Sequence, residues 1–250
     1  MNKHGVILLA VLASLQATAQ FIPTAHSAQS SAMGGCLMPA WNDSSLHLTT
    51  GWRQGFLTKG MSTRTISITS PLGKPGHIGG EYIHFGDIDY HEQQAKVTAA
   101  LDVTQWLTVG VYGLYSHVGT SDPHYTPQHW LDAGISMQAS ASMVFVSYLE
   151  VGSRRWDADR PIGGRLGFTY MPLTDLTTVL ELSADERTRL RFGMEYLYNN
   201  HLAMRAGMST TPLLLTFGVG YRSQHYHIDL ATEVHSALGI SPQISIGLCL

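Results

Sequence analysis

The feature that most constrains this chain is an alternation of apolar and polar residues with period two, which runs from Ser45 to the C-terminus. In the segment 189–196, for example, apolar side chains occupy the even positions, while arginine, glycine and glutamate occupy the odd ones. Successive residues of a β-strand point to opposite faces, so each such segment predicts a strand with one wholly apolar face. Turn residues separate these segments, which predicts an all-β chain of antiparallel hairpins.

Segment length distinguishes a soluble sandwich from a membrane barrel. The alternating segments run for about ten residues, the length that a tilted strand needs to cross a bilayer, whereas strands of soluble proteins are commonly about 5–6 residues long. Only 13% of the residues are charged, against about 25% in an ordinary soluble domain. Both observations favour a transmembrane antiparallel β-barrel.

About fourteen strands are predicted, an even number as is usual for bacterial outer-membrane barrels. Their approximate ranges are 45–56, 61–70, 77–86, 90–102, 105–118, 129–140, 142–151, 163–171, 175–184, 188–198, 201–208, 213–222, 225–235 and 240–250. The tight connections near 102–105, 171–175 and 198–201 then fall on one side of the membrane. The longest connections, near 119–128 and 152–162, fall on the other side. Outer-membrane barrels have this asymmetry, with short periplasmic turns and longer external loops.

The N-terminus resembles a secretory signal peptide over residues 1–19. Its apolar run from Val6 to Leu15 ends at the small residues Ala17-Thr18-Ala19 and is shorter than the roughly 20 residues of a membrane-spanning helix. We therefore expect cleavage, export and insertion into the outer membrane of a Gram-negative bacterium, where lipid surrounds the barrel. Residues 20–44 are predicted to form an N-terminal lumenal or plug segment, and residues 45–250 the barrel.

Charges of both signs collect on the polar faces of the later strands. Because an arginine or lysine facing lipid at the bilayer midplane costs about 2–4 kcal/mol, these side chains are expected to point into the lumen. The predicted lumen network comprises Arg165, Glu181, Arg191, Glu195, Arg205, Asp229 and Glu233. Two interpretations stay open: a self-neutralised interior that stiffens the barrel, and a selective polar pathway.

Other chemistries find little support in the residues. A net charge of −3 gives no basic surface for nucleic acid. His225 and His227 have a spacing that two strand residues could use for a metal, but no third ligand accompanies them, so we expect neither a metal site nor a cofactor.

No enzymatic activity is expected either. Asp43, Ser44 and Ser45 precede His47 without a nucleophile elbow. The glycine pairs at 79–80 and 163–164 open strands rather than helices, so they are not phosphate-binding loops.

The two cysteines, Cys36 and Cys249, are too few for a disulfide framework. They could pair at the periplasmic rim, in an oxidising compartment. The alternative is two unrelated thiols, each behaving as a small hydrophobic side chain.

Three short stretches together resemble the FadL-like superfamily, and within it the PorV and PorQ barrels of the type IX secretion system. The segment 30–36, Ser-Ser-Ala-Met-Gly-Gly-Cys, is similar to the family's start; 80–88 resembles a strand with a "G-x-x-Y-x-x-x-G" pattern; and 228–246 resembles the closing hairpin. The resemblance implies a fourteen-stranded barrel whose N-terminal segment enters the lumen, with Gly34 and Gly35 allowing tight backbone turns.

Three functions follow as hypotheses. The first is a PorV/PorQ-like component of type IX secretion, with secretion-system proteins as partners. The second is a FadL-like channel for hydrophobic or small molecules, which would bind a small hydrophobic ligand. The third is a purely structural barrel.

Overall fold

The computed structural model of the chain describes residues 27–37, 45–73, 75–124, 126–142, 144–153, 162–184 and 188–250. The predicted signal peptide, 1–19, and much of the predicted plug segment, 20–44, lie outside these ranges. Within them, fourteen antiparallel strands form one closed barrel. This confirms the predicted fold class.

Each strand pairs with its neighbours in sequence, and the first pairs with the last. The strands are β1 (His47–Gln54), β2 (Ser62–Pro71), β3 (Gly76–Gly86), β4 (Tyr90–Thr104), β5 (Leu107–Thr120), β6 (Gln128–Ser142), β7 (Phe145–Ser153), β8 (Ile162–Leu173), β9 (Leu176–Ala184), β10 (Thr188–Tyr198), β11 (Leu202–Ser209), β12 (Leu214–Arg222), β13 (Tyr226–His235) and β14 (Gly239–Cys249). A short helix, α1 (Ala28–Ala32), precedes the barrel, and a 3-10 turn (Gly55–Leu57) follows β1.

Closure joins β1 to β14 in register from His47 opposite Cys249 to Arg53 opposite Gln243. A closed sheet has no unpaired edge strand, which is the condition for a β-structure to span lipid. Two stacked sheets, the alternative that alternation alone allows, are therefore excluded.

The two faces of the barrel are inverted relative to a soluble protein. On β9, the outward Leu180 and Leu182 are 44% and 45% exposed, whereas Glu181 between them is fully buried. On β10, Phe192 and Met194 are exposed while Arg191 is 2% exposed. An apolar outer belt around a polar interior is typical of a barrel embedded in lipid.

The two rims differ in their connections. The strands that begin and end the chain, β1 and β14, leave both ends at one rim, where two-residue turns join β4 to β5 and β8 to β9. The connections from Thr120 to Gln128 and from Ser153 to Ile162 lie at the other rim. By this asymmetry the first rim is periplasmic and the second extracellular. No helix within the described ranges is long and apolar enough to cross a membrane.

Candidate functional site: the plugged lumen

Residues 27–37 form a plug that lies inside the barrel. Helix α1 begins at Ser27, whose side chain accepts a hydrogen bond from the Ser30 amide at 3.1 Å. This is the usual way in which serine satisfies a free amide at a helix N-terminus. The side chains of Ala28, Ala32, Met33 and Cys36 have no exposed surface. The plug therefore packs tightly against the wall.

Glycines on both sides allow the plug backbone to approach the wall. Gly34 and Gly35 have φ angles of 74° and 79°, a backbone conformation that residues other than glycine rarely adopt. On the wall, a Cβ atom on Gly193 would lie 2.5 Å from the Met33 carbonyl oxygen, and one on Gly218 would lie 2.5 Å from the Ala32 Cβ. Gly207 on β11 faces Gly193 in register, and a Cβ there would collide with the Gly34 amide. These three glycines form a track on β10–β12 that receives the plug backbone.

Wall hydroxyls satisfy the polar backbone of the plug. The Ala28 amide donates to Ser245 Oγ at 3.1 Å. The Gly34 amide donates to Thr216 Oγ1 at 3.0 Å, and Thr216 Oγ1 donates to the Ala32 carbonyl at 2.9 Å. Backbone groups buried without partners would be costly, so these contacts allow an irregular segment to sit within the lumen.

Six of the seven predicted lumen charges are buried, namely Glu181, Arg191, Glu195, Arg205, Asp229 and Glu233. Three of these carboxylates also contact the plug. Glu181 is paired with Arg191, accepts a hydrogen bond from the Tyr148 hydroxyl, and accepts the Leu37 amide of the plug at 2.9 Å. All three wall side chains in this cluster are buried.

A second cluster is centred on Arg205. Its Nε lies 2.6 Å from Glu195 Oε2, and its Nη1 lies 2.6 Å from Asp229 Oδ1. Arg222 adds a further cation at 2.7 Å from Glu195. The Gln29 amide of the plug donates to the same Glu195 oxygen at 3.4 Å.

A third cluster pairs Glu233 with Arg53 on β1 at 2.5 Å. The hydroxyl of Ser31 in the plug donates to Glu233 at 2.9 Å. Arg53, Arg222 and Tyr148 are network members that the sequence reasoning missed. Each occupies a position whose side chain, by the alternation along its strand, faces the lumen. That alternation is the sequence signal that could have identified them.

Arg165, the seventh predicted lumen charge, lies on β8 opposite Glu150. It lines a cavity of about 420 Å³ that is bounded by the plug, the strands β1–β8 and His227 of β13. Lys96 lies 3.5 Å from Glu150 and 4.3 Å from the centre of the Tyr112 ring. The charged and aromatic side chains of this lumenal cavity are His47, Glu81, Lys96, Tyr112, Tyr148, Glu150, Arg165 and His227. The lumen is thus divided into a plugged half and a half with an open cavity.

The disulfide considered from the sequence is not formed, because both cysteines are free thiols with separate surroundings. Cys36 is buried with Met33 and Val179. Burial, assisted by the negative charge of Glu181, raises the pKa of the Cys36 thiol to about 12. Cys249 lies at the end of β14, where its sulfur is 3.3 Å from His47 Nδ1.

Of the remaining candidates, Ser45 and His47 are in contact, with Ser45 Oγ 3.1 Å from His47 Nε2. Asp43 and Ser44 are outside the described ranges. His227 lies 3.9 Å from Asp229, and His225 is exposed in the turn before β13. Among the described residues, no three histidine, cysteine, aspartate or glutamate side chains are grouped so as to hold a metal ion.

Comparison with solved structures shows that the fold is shared with outer-membrane channels. The CymD monoaromatic hydrocarbon channel superposes with a TM-score of 0.61 at 11% identity, covering 92% of this chain and 98% of the other. The Pseudomonas putida toluene transporter TodX gives 0.60 at 11%, covering 90% and 96%. The Acinetobacter baumannii outer membrane protein Omp33 gives 0.58 at 11%, covering 83% and 98%.

Sequence comparison adds nothing to this. No protein-family model matches the chain, and no curated protein matches it in sequence. At 11% identity the solved structures establish the fold alone. The FadL-like part of the sequence resemblance agrees with a barrel of the kind found in the outer-membrane hydrocarbon channels TodX and CymD. The type IX part has no support among these neighbours.

Proposed function

We propose that this protein is an outer-membrane channel that binds a small polar or amphipathic solute in its lumenal cavity. The observation that carries the proposal is the cavity itself, which occupies the half of the lumen that the plug leaves free. A volume of about 420 Å³ is within the range of small-molecule sites, and a few convergent polar groups are usual in them.

The cavity lies toward the periplasmic rim. Its lining residues on β3 and β4 are those nearer the periplasmic turns. On the extracellular side, the same strands and their neighbours carry a buried layer formed by Ile83, Phe85, Glu92, Ser116 and Asp132. A solute entering from outside would have to pass this layer, so we place the resting closure there and at the plug.

The lining favours a charged or zwitterionic molecule over a pure hydrocarbon. TodX and CymD are described as a toluene transporter and a monoaromatic hydrocarbon channel. In this chain, the cavity presents Lys96, Glu150 and Arg165 together with two tyrosine rings. Desolvating such charges against a hydrocarbon would be unfavourable, whereas a solute that carries both charge and an apolar group could satisfy them. A small hydrophobic ligand remains the alternative occupant.

Calorimetry on the detergent-solubilised full-length protein tests the proposal with two probes, phenylalanine and toluene. We expect saturable binding of phenylalanine, weakened roughly 10- to 100-fold in Lys96→Met by loss of a charge-assisted hydrogen bond. Lys59→Met is the matched control, since Lys59 lies exposed in the β1–β2 loop. If toluene binds and phenylalanine does not, the ligand is a hydrocarbon and the proposed polar solute is wrong. If neither probe binds and proteoliposomes admit no small solute, the barrel is structural.

A component of the type IX secretion system is the second candidate, and it is supported by the sequence resemblance in 30–36, 80–88 and 228–246. Deletion of the gene followed by profiling of secreted proteins separates it from the channel. Loss of type IX cargo from the medium would favour the secretion role, and an unchanged profile would remove it. Both candidates are non-catalytic.

A further inference from the structure

We propose that a histidine pair on the outer surface of the barrel, His117 and His129 with Tyr115, binds a divalent transition-metal ion such as Zn²⁺ or Cu²⁺ at the extracellular rim. The proposal is independent of any solute in the lumen. It departs from the expectation of no metal site, because the sequence does not show that these residues meet.

Strand pairing brings the two histidines together. His117, near the end of β5, lies directly opposite His129, at the start of β6. Their ring centres are 4.5 Å apart and the rings stack at 28°. The neighbours Ser116 and Asp132 are buried in the lumen, so the histidines, on the opposite parity, face outward. They are therefore accessible from outside the barrel.

The nitrogen atoms already have the separation that a shared metal requires. The two Nδ1 atoms are 3.2 Å apart. Zinc binds imidazole nitrogen at about 2.0–2.1 Å, which places two tetrahedral ligands about 3.3 Å from each other. An ion bound by both Nδ1 atoms would take the place of the contact between them, and each ring would turn so that its Nδ1 lone pair points at the ion.

A phenol supplies a third donor. Tyr115 Oη lies 2.6 Å from His129 Nδ1, two residues along the outward face from His117. It can complete the coordination of an ion held by the two Nδ1 atoms, while water fills any remaining position. The site is thus two imidazoles with a phenol rather than a three-histidine or carboxylate centre.

Two further imidazoles extend the row across the neighbouring strands. His91 lies 5.5 Å from His117 between ring centres, and His84 lies 6.1 Å from His91. Gly119 makes room for this packing, because a Cβ there would lie 2.8 Å from His91 Nε2 and 3.1 Å from His117 Nε2. Arg64 on β2, opposite His84, ends the row with a fixed positive charge. A metal is therefore expected at the His117–His129 end, away from Arg64.

Zn²⁺ titration by calorimetry and Cu²⁺ electron paramagnetic resonance test the site on the full-length protein in neutral detergent. We expect one saturable site with nitrogen hyperfine structure from imidazole. His117→Ala and His129→Ala should each weaken it at least about tenfold, the lower end of the loss caused by removing even an outer-sphere partner. Tyr115→Phe should have a smaller effect.

His201→Ala is the matched control. His201 lies in a turn at the opposite rim and packs against the Tyr221 ring, so its loss should leave the metal affinity unchanged. Slower migration of boiled than unboiled samples will verify that each variant is folded. Absence of saturable binding, or equal binding in wild type and both histidine variants, would overturn the proposal. Binding of inorganic phosphate to the row without metal would reassign it to anions and would also overturn it.

Discussion

Substitution of Gly193 by alanine should release the plug while leaving the barrel intact. A Cβ atom at this position would lie 2.5 Å from the Met33 carbonyl oxygen and 2.6 Å from the Met33 Cβ. These atoms belong to the plug backbone and its first side-chain carbon, so no rotamer change can relieve the overlap. Overpacking of this kind costs about 1–3 kcal/mol, which corresponds to a shift of about 5- to 150-fold toward the displaced plug.

Cys36 reports this shift directly, because it is fully buried in the plugged state. In a Cys249→Ser background, maleimide labelling of Cys36 should accelerate in Gly193→Ala by about the same factor. Barrel stability should change little, since alanine also reduces the conformational freedom of the unfolded chain. An increase in labelling without a loss of the folded gel form would therefore identify the plug as a separately mobile element.

Gly113→Ala is the matched control for this experiment. Gly113 also lies within a strand, β5, but a Cβ there would meet no atom within 4 Å. Labelling of Cys36 should match that of the parent. If Gly193→Ala and Gly113→Ala label at the same slow rate, the plug is not held against the glycine track in the way described, and the reasoning fails.

Three further predictions concern the charges and the lipid face. The pKa of the Cys36 thiol is raised to about 12 in the plugged state. The plugged state is therefore fully stable below the ordinary thiol pKa of about 8.5 and loses stability as the pH rises from that value toward 12. Labelling of Cys36 should increase above about pH 9 more steeply than in a displaced plug, where the cysteine has its ordinary pKa. Arg205→Met removes the cation that Glu195 and Asp229 share and leaves the buried Asp229 without an arginine, so it should cost about 3–5 kcal/mol in urea unfolding. Arg222→Met, at a side chain 31% exposed, should cost less. Leu180→Arg, at the middle of β9, should lower the free energy of unfolding in lipid by about 2–4 kcal/mol, because it places a charge at the bilayer midplane. Leu173→Arg, at the periplasmic turn, should lower it by only about 0–1 kcal/mol. Equal small effects of the two substitutions would argue that the outer face does not contact hydrocarbon.

The sequence predicts the barrel well because each strand carries its own signal. Side-chain direction alternates strictly along a strand, so residues 189–196 reveal their two faces without reference to any other part of the chain. Most predicted boundaries lie within two or three residues of the structure. The predicted boundary between 139 and 142, after which residues 143–150 alternate poorly, coincides with a register shift between Ser140 and Ser142.

The contacts of the plug could not be predicted in this way. The Leu37 amide meets Glu181 across 144 residues, and Ser31 meets Glu233 across 202. Nothing in local periodicity specifies such pairs. The histidine row illustrates the same limit, because His117 and His129 belong to different strands and become neighbours only through the register of β5 and β6.

The position of the plug also explains why the predicted charges separate into two groups. Glu181, Glu195 and Glu233 lie on β9–β14, and each both pairs with an arginine and accepts a hydrogen bond from the plug. A hydrogen bond to a charged group contributes about 1.5–3 kcal/mol, so this half of the lumen binds the plug and is filled by it. Arg165, on β8, lines the cavity. The charges that the sequence pattern groups together therefore have two different surroundings: one set contacts the plug, and Arg165 lines the cavity.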